Sequence, residues 1–379
     1  MPSDEMTAAI APPSGLVSTR YTGNRARLTS QRPSEHPTLL PLSESAGTLA
    51  AARSLDHHGI RVVVASPSML ATPRWSRSVA RWARSPAPRE SRLFLEWLSA
   101  FGERKPGHVL CATSSELALL IAEHRPALER SFRLSTATRE SVLSVLDAAE
   151  RAGVCRRLGI AHLAPAAPTD ELADSYVLAG YVGRIGQGAA MRAASRLQAP
   201  TRLRLGTCLE AAELDAQAFD AVVHLCHETG YFGVFRATFA RRGRSLVFAD
   251  FQPCLYPEVG FEIARQLPLP YLVWLAALGE DAAVTQLLSE GGAWQEKPRS
   301  VYCDGLAFQV GLSVRHLFGR AEDAEAEHWK AWLHGGSERR PAVDPTRAPG
   351  DRLPGAAAAA TEVVRLALGR ASARLASGS

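Results

Sequence analysis

Lysine is nearly absent from this 379-residue chain: of its 43 basic residues only Lys105, Lys297 and Lys330 are lysine. Chemistry that demands a compact ammonium, such as a Schiff base or a lysine on a phosphate chain, has three candidates to draw on, because a guanidinium is not an equivalent group. Long apolar runs are missing too. None approaches the roughly 20 residues that span a bilayer. The opening MPSDEMTAAIAPPSG has no basic segment followed by an apolar one, which predicts a cytoplasmic protein with no membrane partner. CxxC pairs are also absent. Cys111, Cys155, Cys208, Cys226, Cys254 and Cys303 are scattered, which speaks against a zinc site or a disulfide framework and for reduced thiols in a core. The formal charge of +5 is modest for this length, and an apolar content of 46% is ordinary for a globular protein of two or three compact units.

What is present is an alternation of strands and helices. Residues 1–40 are rich in Pro, Ser, Thr and Arg without apolar period and read as a flexible extension, with order from about Ser43. SAGTLAAARSLDHHG has helical spacing and stops at Gly59, and IRVVVAS is a β-branched buried strand. HVLCATSSELALLIAEH repeats the unit as strand, polar turn and helix, with Thr113 and Glu116 at capping-box spacing. Residues 41–125 are thereby predicted to form an open α/β layer. Helical spacing continues through ESVLSVLDAAERAGVCRRLGI, after which strands dominate: SYVLAGYVG, then, beyond the helix FDAVVHLCHETG, YFGVFRATFA and RSLVFADF. Arg241 to Arg244 is a tight hairpin connection with Gly243 supplying positive φ, so the unit over 126–290 is predicted antiparallel. After EIARQLPLPYLVWLAALG, residues 291–379 read as mostly helical.

The stretch VFADFQPC at 247–254 sends Asp250 and Gln252 to one strand face. A buried carboxylate needs a cation or donors opposite it. With the turn closed at Gly243, Ala237 is the position facing them. Oxygen ligands across two strands suit a magnesium ion; capping of the sheet edge, or pairing of Asp250 with an arginine, is the other reading of these residues. GRIGQG at 183–188 reads as a hairpin turn, because no lysine or capping Ser/Thr follows Gly188 as a phosphate loop requires. His224 and His227 are spaced i, i+3 on a helix with Cys226 facing elsewhere, a structural arrangement. PRWSRSVARWAR at 73–84 reads as a helix whose tryptophans pack on the sheet. Its basic, aromatic character would also suit nucleic acid, but no other stretch of similar basic density supports such a partner.

The segment 230–272 resembles the core of ATP-grasp enzymes, in particular their carboxylate–amine ligase branch. Its order is a Gly-aromatic-x-Gly turn (GYFG), a strand, a hairpin, a strand end carrying an acid, and a helix leading to Leu-Pro. More weakly, 144–165 and the repeats of 46–120 are similar to the parts that precede that core, and VYCDGLAFQVGLSVRHLFGR and HWKAWLHG to the C-terminal extension of some members. The resemblance implies an α/β fold with an α+β core: a preceding α/β domain, a shortened ATP-grasp domain and a helical C-terminal extension. It implies ATP- and Mg-dependent ligation of a small-molecule carboxylate to an amine through an acyl phosphate. It also implies roles: Asp250 and Gln252 at the metal, Asp147 and Arg236 at the nucleotide, and Arg192 and Arg196 at phosphate or acyl-phosphate oxygens, solvated surface arginine being the other reading of those two.

The departures point the other way. Ala237 stands where the family has its first metal acid, Gln252 replaces an Asn, Cys254 replaces an Arg, and Ala148 replaces a nucleotide-contacting lysine. Between Pro165 and the strand at Tyr176, AAPTDELADSY stands where the family has its phosphate lysine and glycine-rich loop; at about 3.3 Å per residue it makes a connection and not a subdomain. Ligase activity is therefore expected to be weak or lost. The alternatives are a divergent ligase whose arginines replace lysine, and a non-catalytic binding or partner subunit.

Overall fold

The computed structural model describes residues 35–41, 46–87, 90–164, 175–197, 207–243, 245–293, 300–303, 327–329, 331–332, 342–346 and 348–361. Among them, strands β1 (Thr38–Leu40), β2 (Val62–Ser66), β3 (Arg81–Arg84), β4 (His108–Leu110) and β5 (Phe132–Leu134) form one sheet in the order β3-β2-β1-β4-β5. Every neighbouring pair is parallel. The expected α/β layer is present, with helices α1 (Ala46–His57), α2 (Ser91–Arg104), α3 (Ser115–Glu123) and α4 (Arg125–Leu128) between the strands. Val62, Val64, Leu39, Leu40 and Val109 are fully buried, as β-branched and aliphatic runs in a doubly covered sheet should be. α1 is followed by Gly59 at φ 74°, as expected.

Four local expectations are corrected. β1 lies inside the stretch read as an extension, since three residues behind a proline show no periodicity; residues 1–34 lie outside the described residues. β5 carries the parallel sheet beyond 125. The cap of α3 is Ser114, whose Oγ accepts from the Leu117 amide at 3.2 Å; Thr113 instead donates its hydroxyl to the Pro41 carbonyl. Finally, 73–84 is a short 3-10 turn at Thr72–Trp75 followed by the edge strand β3. Pro73 and the serine turn, in which the Ser78 amide donates to Ser76 Oγ at 3.2 Å, stop a helix there, and an edge strand tolerates its exposed arginines. Trp82 then lies under the Arg74 guanidinium, 4.5 Å from the ring centroid.

The second sheet has seven strands in the order β10-β9-β6-β7-β8-β11-β12. They are β6 (Ser175–Val182), β7 (Ala189–Leu197), β8 (Cys208–Ala211), β9 (Gly233–Arg242), β10 (Ser245–Gln252), β11 (Val301–Cys303) and β12 (Ala342–Val343). All pairs are antiparallel except β11 with β12. β11 and β12 come from the region read as mostly helical; of its other described residues, 327–329, 331–332 and 353–361 are helical. The 183–188 segment is the expected hairpin turn, closed by the Gly183 amide on the Gly188 carbonyl at 2.8 Å. The helical spacing over 140–160 is broken at Asp147 into α5 (Arg139–Leu146) and α6 (Ala148–Leu158).

The two faces of this sheet differ. α5, α6 and α7 (Ala216–Thr229) cover one, and Val142, Cys155 and Leu225 pack there on Leu178, Phe235, Ala237, Phe239, Phe248 and Phe251. α8 (Gly260–Ala264), α9 (Leu269–Leu278) and α10 (Asp281–Ala293) follow β10, and Leu272, Val284 and Leu288 join α1 on Val177, Ala179 and Ala190 of the other face. α9 (LPYLVWLAAL) has no charged residue because it lies between the sheets. The chain leaving β10 reaches the parallel sheet: the Leu255 amide donates to the Ala112 carbonyl at 2.9 Å. A Cβ on Gly47 would overlap the Tyr256 carbonyl oxygen, so the close approach of α1 to this crossing requires glycine. All six cysteines are free and buried. Among the described residues no helix is long and apolar enough to cross a membrane.

Candidate functional site

β9 and β10 close at Gly243 (φ 62°), with Arg242 opposite Ser245, as the sequence predicts. From there the register runs regularly to Phe248 opposite Phe239, and then it slips: Asp250 faces Thr238, Phe251 faces Ala237 and Gln252 faces Arg236. Ala249 is one extra residue, a β-bulge. Directly opposed residues share a face, so Ala237 is buried among Phe235, Phe239 and Phe251 on the face away from Asp250. The pairing of Ala237 with Asp250 is thereby overturned. The bulge is held by Arg151 of α6, whose Nη2 donates to the Ala249 carbonyl at 3.1 Å while Nη1 donates to the carbonyls of Val145 and Leu146.

Two rows cross the other face. In the first, Gln252, Arg236, Ala179 and Arg192 are neighbours on successive strands; in the second, Asp250, Thr238, Val177 and Ala194. Arg196 lies two residues beyond Ala194 on the same face. Five of the six residues singled out from the sequence thus share one face, although they do not all meet. Asp250 is 41% exposed in its side chain, lies 3.8 Å from Arg151 Nη2, and takes a 3.4 Å bond from Gln252 Nε2. Arg192 is buried and directs its N–H groups at the carbonyls of Arg265, Met191 and Gly291, a structural engagement between β7 and the α8 to α10 layer. Asp147 is elsewhere: it caps α6, its Oδ1 accepting from the amides of Ala149 and Glu150, both at 2.9 Å.

Arg236 is the centre of the cluster. Its side chain is only 7% exposed, and its Nη1 lies 3.7 Å from Oε2 of Glu258, which is 6% exposed. Arg196 is close enough to feel both: burial pushes its pKa down first, Arg236 pushes it further the same way, and Glu258 opposes them. Behind this pair, Arg265 Nη2 holds the buried Glu262 at 2.9 Å and the Tyr256 hydroxyl donates to Glu262 at 2.6 Å. Burial raises the pKa of Glu262 above its usual range, opposed first by Arg265.

These residues do not fit a magnesium ion on triphosphate oxygens. A hard divalent cation wants several anionic or neutral oxygens. Here Asp250 faces a neutral Thr238, and the next row offers a guanidinium. Among the described residues no group of three or more His, Cys, Asp or Glu could hold a metal. Exposed His224 and His227 point away from buried Cys226 on α7. Lys105 ends α2 in the parallel-sheet layer, and Lys297, Lys330 and most of the connection Ala166–Tyr176 lie outside the described residues. Sequence reasoning missed Thr238, Arg151 and Glu258. The signal for Thr238 was the odd spacing of Phe248 and Phe251; Arg151 stood one helical turn after Asp147; Glu258 had none.

The sequence matches no known protein-family profile and no curated protein. Solved structures do match. The L-amino acid ligase from Bacillus licheniformis aligns with a TM-score of 0.52 at 9% identity over 70% of this chain and 79% of that one. The biotin carboxylase domain of a single-chain bacterial carboxylase aligns at 0.50 with 14% identity over 70% and 73%. The multifunctional pyruvate carboxylase from Rhizobium etli aligns at 0.52 with 12% identity over 71% of this chain. The chain spans only 26% of the length of that last enzyme. At such identities the likeness is one of fold: a parallel five-stranded layer joined to a largely antiparallel sheet, which is the ATP-grasp fold.

Proposed function

We propose that this chain descends from ATP- and magnesium-dependent carboxylate–amine ligases, that its phosphoryl-transfer function is lost or vestigial, and that it serves as a binding or partner protein. The observation that carries the reading is the row Gln252–Arg236, with Arg236 paired to buried Glu258. Phosphoryl transfer relies on cations that neutralise charge spread over the transferring group, and the metal among them needs anionic oxygens to hold it. A guanidinium beside Asp250 repels that metal. The sequence supports the same reading through Ala148, Cys254 and the short Ala166–Tyr176 connection. If ATP and magnesium do act here, Asp250 and Gln252 are the ligands, Asp147 and Arg236 the nucleotide contacts, and Arg192 and Arg196 the phosphate contacts; small carboxylates and amines are then the substrates.

Calorimetric titration of the full chain with MgATP tests the proposal. The expected result is no saturable heat at micromolar nucleotide. Micromolar binding that disappears in Asp250→Asn overturns it and restores the ligase.

A further inference from the structure

We propose that Arg236 forms a metal-independent site for a small monocarboxylate on the face of the antiparallel sheet. The inference rests on the reading that a guanidinium has taken the metal's place. An arginine side chain presents one edge, Nε–H and Nη2–H, as two parallel donors matched to the two oxygens of a carboxylate. In Arg236 both of these atoms are buried and without a hydrogen-bond partner, while the opposite corner, Nη1, is turned to Glu258 at 3.7 Å. Buried donors left unmade are costly, the more so when they carry charge. The contact with Glu258 is an ion pair without a hydrogen bond, and Glu258 Oε2 is likewise buried and unpartnered, so it does not occupy the two-pronged edge, which is left for another acceptor.

Charge selects the acceptor. Arg196 and Arg236 contribute two positive charges near one another and Glu258 one negative, while Asp250 faces Arg151. Arg192 in the same row adds a further positive charge, so positive charge is in excess: an anion is favoured, a divalent cation would add to the excess, and the planar two-donor edge matches a planar carboxylate better than a tetrahedral phosphate. Next to Arg236 on the outermost strand, Gln252 in the same row is half-buried and the side chain of Asp250 is 41% exposed.

The test is titration of the full chain with sodium acetate, with inorganic phosphate at matched ionic strength, and separately with MgATP. Acetate should bind saturably, and phosphate more weakly. Arg236→Lys, which keeps the charge but not the fork, should weaken acetate by about tenfold or more. If Arg236→Lys does not fold, the thermal midpoint of the parent decides: it should rise more with acetate than with phosphate at the same concentration. No acetate binding, equal binding of phosphate, or acetate binding unchanged in Arg236→Lys each overturns the site. MgATP binding lost in Asp250→Asn would instead sink the reading beneath it, so the two failures are told apart.

Discussion

Phe248 and Phe251 stand three residues apart on β10 and enter the same core, Phe248 edge-on to Phe239 at 5.0 Å and Phe251 stacked on Phe235 at 5.3 Å. Strict alternation would send them to opposite faces. The extra residue Ala249 reconciles them, and the price is a change of partner downstream: Asp250 meets Thr238 and Gln252 meets Arg236.

This register separates two substitutions that look alike in sequence. Thr238→Glu would set a carboxylate opposite Asp250, and manganese affinity by titration should rise severalfold over the parent. Ala237→Glu would place one in a fully buried aromatic core, at a cost of about 3–5 kcal/mol, and should unfold at lower denaturant without gaining metal. The reverse pattern would mean that the bulge is misplaced.

Arg151 holds the bulge. Its side chain is 7% exposed and serves three backbone carbonyls, of Val145, Leu146 and Ala249, besides lying near Asp250. Arg151→Met keeps the bulk but removes every donor, and should destabilise the chain by about 2–4 kcal/mol in urea unfolding. A change below about 0.5 kcal/mol, the size of an ordinary surface substitution, would show that Arg151 does not hold the bulge.

The sequence made much of this architecture legible, for reasons that differ by element. The β-branched run of β2, the Gly59 stop of α1 and the Gly243 turn are local signals, and local chemistry decides them. β1 is three residues long and is defined by its neighbours β2 and β4, so no window over 38–40 could reveal it. RWAR at 81–84 looked helical because its charges suit any exposed surface; pairing with β2 makes it a strand. At the site, the sheet face was readable from alternation, whereas the partner of Asp250 depended on one inserted residue that only the shared core of Phe248 and Phe251 betrays.

Asp351 gives a prediction in pH. It ties 348–351 to the parallel-sheet layer, accepting from Ser76 Oγ at 2.6 Å, the Arg77 amide at 3.0 Å and Arg53 Nε at 3.0 Å. Burial pushes its pKa up, but the bonds from Ser76, Arg77 and Arg53 together outweigh it and hold the carboxyl below its ordinary 3.8. A depressed folded value means that the stabilisation is present above the unfolded pKa and is lost as pH falls through the folded one. Stability of the parent should thus fall more steeply below pH 3.8 than that of Asp351→Asn, as followed by thermal unfolding across acid pH. Parallel curves would contradict the assignment.

On the reading proposed above, the Arg236 guanidinium, paired with Glu258 and opposite Gln252, keeps a metal out of this face. Calorimetric titration of MgATP into the full chain tests it most directly. No saturable binding at micromolar nucleotide is expected in the parent or in Asp250→Asn; micromolar binding in the parent that is lost in Asp250→Asn would show that a metal and nucleotide are held here after all.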